Sequence, residues 1–138
     1  MLPVYMDIAL QKLSEGCSCA AYDGKILLTS TKRGVAPLLG WLEEGRDLTG
    51  FCVADKVVGR GAAFLYLLLK VKRLHARVIS KPALEVLQDV EVSYDHCVPA
   101  IRNRDNTGFC PIESAVLDCS EPDLALTLIK EKLAALNK

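Results

Sequence analysis

Three short stretches of this chain gather the side chains able to meet an anionic, sugar-bearing ligand. Lys32-Arg33-Gly34 puts two cations and a glycine ahead of an apolar periodic run, Asp55-Lys56 leads into Gly59-Arg60-Gly61, and Ser80-Lys81 stands before Pro82. Glycine lets backbone N–H groups come close to a ligand, and a helix beginning at such a place points its unsatisfied amides outward. Cations and amides suit phosphate, while a carboxylate suits ribose hydroxyls. The G-x-G also has a plainer reading: Gly59 and Gly61 permit a tight turn and close helix–sheet packing, and the basic residues form a solvated rim. Asp55, read as directly following a buried apolar strand, either caps the coming turn or meets the ligand. Nucleophilic attack by Asp55 on an activated sugar is a further chemical option.

Cys110 and Glu113, behind Arg102, Asn103 and Arg104, form a second polar cluster at the start of a short helix. Capping accounts for most of it, with a nucleophilic thiol at a helix start as the alternative. His96 and Cys97 are neighbours in a strand and point to opposite faces, so they read as structural. The six cysteines, at 17, 19, 52, 97, 110 and 119, contain no C-x-x-C pair, and neither His75 nor His96 has metal-ligand spacing. Buried thiols are expected, with no metal, cofactor or disulfide framework.

The 138 residues suit one domain, 1–138, and 17 basic side chains balance 17 acidic ones. No whole-molecule field therefore draws the chain to nucleic acid or to an anionic membrane. The run Lys70, Lys72, Arg73 and Arg77 lacks interleaved aromatics and reads as a solvated helix end. The apolar stretch 62–69 is too short to span a bilayer, and the first ten residues carry no basic leader, so a cytoplasmic location is expected.

Hydrophobic spacing supplies the elements. Met6, Ala9, Leu10 and Leu13 share one face of a helix ending near Gly16, and strands over 17–22 and 25–30 flank a hairpin turn at Asp23-Gly24. Val35, Leu38, Leu39 and Leu42 mark a second helix that tolerates Pro37 in its first turn. A central strand over 51–54, a buried helix over 62–72 and a strand over 74–79 follow. Ser80-Lys81-Pro82 caps a helix with Ala83, Val86, Leu87 and Val90 on one face, and 91–94 is the last strand. Ile112, Ala115 and Val116 face inward from a short helix led by Pro111, and Ser120-Glu121-Pro122-Asp123 resembles a capping box before a helix striped by Leu126, Ile129, Leu133 and Leu136. Such alternation predicts an α/β protein, a three-layer α/β/α sandwich on a mixed, mostly parallel sheet of about five strands.

A leading helix, a hairpin and repeated α-β units over residues 1–95 resemble the cytidine-deaminase fold. The stretches 31–39 and 54–63 also resemble an uncharacterised bacterial family of deaminase-like proteins. Deaminases place His or Cys, Ala and Glu at the first helix start after the hairpin, and P-C-x-x-C at the next. Here Arg33, Gly34, Val35 and Ala36 stand at the first, and Gly59, Arg60, Gly61 and Ala62 at the second. The resemblance therefore implies the scaffold without the zinc chemistry. It also implies a possible homo-oligomer.

The expectation is a non-deaminating domain that binds a nucleotide-like ligand such as ADP-ribose. Its site would comprise Lys32, Arg33, Gly34, Asp55, Lys56, Gly59, Arg60, Gly61, Ser80 and Lys81, in the crevice beyond the carboxyl ends of the parallel strands. The alternatives are an enzyme using Asp55 or Cys110, and an oligomeric interaction module.

Overall fold

The computed structural model describes residues 2–102 and 110–136. In chain order the elements are α1 (Leu2–Ser14), β1 (Cys19–Tyr22), β2 (Leu27–Ser30), α2 (Ala36–Glu43), β3 (Cys52–Val58), α3 (Arg60–Leu68), β4 (Arg73–Ser80), α4 (Lys81–Val86), β5 (Glu91–Val98), α5 (Pro111–Val116) and α6 (Pro122–Leu136). The five strands form one sheet in the order β2-β1-β3-β4-β5. β1 runs antiparallel to both neighbours, whereas β3, β4 and β5 are parallel. The expected α/β sandwich on a mixed sheet is what the chain forms.

The layers are unequal. Among the described residues, α1 is the helix packed on one face, against β1 and β3. Small residues permit the close approach: Ala9 and Leu13 of α1 bury against Ala20 of β1 and Ala54 of β3, with Met6 and Leu10 beside them. The opposite face carries α3, and α2, α4, α5 and α6 surround that helix. A helix enclosed by four others must be apolar nearly all round, and Ala62, Ala63, Phe64, Leu65 and Tyr66 are all buried. α3 connects β3 to β4 and α4 connects β4 to β5, and the two helices pack against each other on this side.

The hairpin forms at Asp23-Gly24, where the Asp23 carboxylate accepts the backbone N–H groups of Lys25 and Ile26 at 2.9 and 2.7 Å. These two bonds hold the Asp23 carboxyl below its ordinary range. Ser80 caps α4 as its sequence position implies, its hydroxyl accepting the Ala83 N–H at 3.2 Å.

Several boundaries differ from the sequence reading, those of α1's neighbours β1 and β2 and of α4 by a turn or less, and those of α3, β5 and β3 with more consequence. α3 begins at Arg60 and stops at Leu68, because Lys70 turns into the left-handed region at φ 65°. The N–H of Lys70 then reaches the Leu67 carbonyl, and that of Val71 reaches Tyr66, closing the helix in a Schellman turn. α2 ends with the same hydrogen bonds around Gly45, φ 73°, where no side chain pays a steric cost. Replacing Lys70 by glycine is therefore expected to raise stability by about 0.5–1 kcal/mol, seen as a higher melting temperature.

β5 runs on through Asp95 and His96 to Val98, beyond the expected end at 94. It is an edge strand, so polar side chains on it remain solvated and do not end the pairing. β3 extends past Ala54 to Val58, which moves Asp55 from beyond the strand to its interior. At the other end of the chain, the apolar stripe of α6 stops short of Leu136, which is exposed.

All six cysteines are thiols with no disulfide between them. Among the described residues, no helix is long and apolar enough to cross a membrane.

Candidate functional site

The residues expected to ring one crevice divide into three groups. Lys32, Arg33, Gly34 and Lys81 are exposed at the starts of α2 and α4. Ser18 anchors the approach to α2, donating its hydroxyl to the carbonyls of Ser30 at 3.0 Å and Lys32 at 2.5 Å. Lys56 is half-buried in β3, and Ser80 is consumed as the α4 cap.

Asp55 forms the second group with Tyr66 and Cys19. Its register partners are Cys19 on β1 and Ala76 on β4, so it stands in the middle of the sheet beneath α3. The Tyr66 hydroxyl donates to Asp55 Oδ2 at 2.5 Å, and the Val57 N–H to Oδ1 at 3.3 Å. Burial pushes the Asp55 carboxyl up to about 7, with the hydrogen bonds opposing that rise. Burial and the Asp55 charge push both Tyr66 and Cys19 up as well. The expectation that Asp55 follows the strand is corrected by this placement, since it lies inside β3. At 7% exposure, its polar atoms are committed to a helix and to its own strand.

The third group surrounds the start of α3, where a distant carboxylate fills the place expected for a ligand. Glu113 of α5 accepts the Arg60 N–H at 2.7 Å through Oε1 and the Gly61 N–H at 2.9 Å through Oε2. A carboxylate on two adjacent amides at a positive helix end is a charge-assisted anion cradle. Both glycines are needed for it to close. A Cβ on Gly59 would lie 2.4–2.5 Å from the Glu113 carboxyl group, and one on Gly61 would lie 2.8 Å from Ile112 Cγ2. Close packing of α5 thus explains the G-x-G, and a valine at Gly61 would unseat α5 instead of merely blocking a ligand.

Arg60 is likewise committed to the fold. Its guanidinium donates to the carbonyls of Val116 at 3.1 Å, Pro82 at 3.0 Å and Cys119 at 2.7 Å, and reaches Glu85 at 3.3 Å. It also lies over the Phe64 ring, 5.2 Å from the centroid. The guanidinium expected to face a ligand serves as an internal clasp joining α3 to the segments around α4 and α5.

Gly59→Ala and Glu113→Ala are each expected to cost roughly 1–3 kcal/mol, since each empties the cradle. Their combination should cost no more than the larger single change, because both remove the same contact. Urea melts of the two single variants and the double variant measure this directly.

Glu113 was legible as a capping residue, yet it caps another helix some fifty residues away in the chain. Cys110 is half-buried, and its backbone N–H donates to the Ile101 carbonyl at 3.1 Å. Asn103 and Arg104 lie outside the described residues. Neither the α2 start, residues 33–36, nor the α3 start, residues 59–62, supplies a thiolate, imidazole or carboxylate side chain, so these positions do not fit a deaminase zinc. Among the described residues, no group of three or more His, Cys, Asp or Glu side chains could hold a metal ion.

Two hollows open at the opposite end of the sheet, where the parallel strands begin. One, of about 180 Å³, is bordered by Met6, Cys52, Arg73, Glu91 and Ser93. The other lies under the hairpin turn, between Ile26, Arg46, Asp47 and Phe51. Asp47 there is held below its ordinary carboxyl range by the Thr49 hydroxyl and N–H.

Taken together, these features define a mixed α/β sandwich whose central helix start is capped by a carboxylate from its own chain. The chain belongs to the TM1506 family, described as a domain of unknown function, DUF1893, whose model matches residues 8–133. It is similar to the crystal structure of a DUF1893 family protein, TM1506, from Thermotoga maritima. The two share 32% identity and a TM-score of 0.84, over 94% of this chain and 90% of that one. No curated protein matches the chain.

Proposed function

We propose that the domain binds an anionic, nucleotide-like ligand, with ADP-ribose as the representative, on a deaminase-like scaffold that does not deaminate. The observation carrying this reading is the Glu113 carboxylate held by the amides of Arg60 and Gly61. Two phosphate oxygens satisfy the same pair of donors, so the cradle is chemically an anion seat. Lys32, Arg33 and Lys81 add exposed positive charge at the helix starts beyond β2 and β4, and Lys56 adds it from within β3. In this reading Glu113 holds the seat until a stronger anion displaces it.

Thermal-shift titration with ADP-ribose, ADP, NAD and inorganic pyrophosphate tests the proposal on the unmodified chain and on Glu113→Ala. The variant should melt lower alone and gain more from the phosphate ligands than the unmodified chain does. Lys32→Ala with Arg33→Ala should reduce that gain. A flat response of both proteins across the panel contradicts the proposal.

A further inference from the structure

On the sheet face carrying α1, that helix covers β1 and β3, and the described residues place no helix over β4 and β5. The face is polar there. Arg73 pairs with Glu91, and Arg77 Nη2 donates to the Ser14 hydroxyl at 3.0 Å. Between these contacts, His75 of β4 sits directly opposite Ser93 of β5 in the parallel register. Side chains two apart on a strand share a face, so Asp95 lies next to Ser93 on the same side. The result is a three-residue hydrogen-bond chain: Ser93 Oγ is 2.7 Å from His75 Nδ1, and Asp95 Oδ1 is 3.1 Å from His75 Nε2.

The order of groups fixes the proton positions. A carboxylate accepts only, so the Asp95 contact places the imidazole proton on Nε2 and leaves the Nδ1 lone pair to accept the Ser93 hydroxyl proton. That is the arrangement a serine nucleophile needs, with the two ring nitrogens exchanged relative to the usual serine-hydrolase order. A second observation is independent of these distances. Ser93 borders the hollow of about 180 Å³, which Met6, Cys52, Arg73, Leu74, Glu91 and Val92 also line. A small acyl group placed there lies beside the serine.

We infer that Ser93, His75 and Asp95 form an acyl-transfer site for small carboxylic esters, separate from the anion seat at α3. Ser93 Oγ attacks the ester carbonyl carbon while its proton passes to His75 Nδ1. The bond to the alcohol breaks, and the departing oxygen takes that proton. Water then attacks the acyl-serine, gives one proton to His75 and releases the carboxylic acid as the proton returns to Ser93 Oγ. Ester and water become acid and alcohol, with no other reactant. Asp95 is a positioning residue that holds the ring and faces the transient imidazolium.

The test uses p-nitrophenyl acetate turnover and labelling by a fluorophosphonate, with peptide mass mapping, on the intact chain. The expected result is one phosphonyl adduct on Ser93, formed as fluoride leaves. Ser93→Ala should abolish the adduct and lower turnover by about a hundredfold or more. Ser93 is exposed, so this variant should melt with the unmodified chain. Asp95→Asn should lower kcat while leaving KM unchanged, which a merely structural contact would not do. Absence of an adduct on Ser93, or equal turnover by Ser93→Ala, overturns the inference.

Discussion

Arg60→Ala is expected to destabilise the protein by roughly 3–5 kcal/mol, a large share of the roughly 5–15 kcal/mol by which domains of this kind are stable. The guanidinium serves carbonyls at Pro82, Val116 and Cys119 from a mostly buried position, its side chain only 13% exposed. Truncation leaves those acceptors short of a donor in the interior and removes the plate over Phe64. Arg60→Lys should recover little, because one ammonium cannot span three carbonyls set around a planar fork. The ion pair to Glu85 contributes almost nothing by comparison. Glu85 is 71% exposed, so Glu85→Ala should change stability by less than about 0.5 kcal/mol. Guanidinium melts of the three variants separate the clasp from the surface pair.

The second large effect is the pH dependence set by Asp55. Its folded-state pKa, about 7, lies above the ordinary carboxyl value, so the fold favours the protonated form. The stability linked to that proton is fully present below about pH 4 and is lost as pH rises through 7. Other carboxylates run the opposite way: Asp23 and Asp47 are held low, and their contributions fade in acid. Comparison with Asp55→Asn isolates the buried group. The variant should show no step near neutrality and should gain on the unmodified chain by roughly 2–4 kcal/mol between pH 5 and pH 8. Tyr66→Phe removes the hydroxyl that donates to the carboxyl group, so it should cost more at pH 8 than at pH 5. Equal costs at the two pH values would show that Asp55 does not change its protonation state across this range.

The amphipathic elements were legible because their signals are local. The stripe of Met6, Ala9, Leu10 and Leu13 identifies the buried face of α1, and Ser80-Lys81-Pro82 marks the start of α4. Asp55 was misplaced because a charge after Cys52-Val53-Ala54 looks like the end of a buried strand, when a tyrosine eleven residues later supplies the partner that keeps it inside. Gly59-Arg60-Gly61 looks the same whether a phosphate or a neighbouring helix approaches it. The deciding residues, Ile112 and Glu113, carry no spacing signal that reaches across fifty positions. The hydrogen-bond chain of His75, Ser93 and Asp95 becomes visible only once β4 and β5 are in register, since no motif links those positions along the chain.

The anion seat is open to a direct measurement at the two amides that build it. Backbone amide NMR shifts of Arg60 and Gly61, followed during ADP-ribose titration of Glu113→Ala, should move together and saturate, and should move less when Glu113 is present. Saturable shifts elsewhere with these two amides unmoved, or no shifts at all, would contradict an anion site at the start of α3.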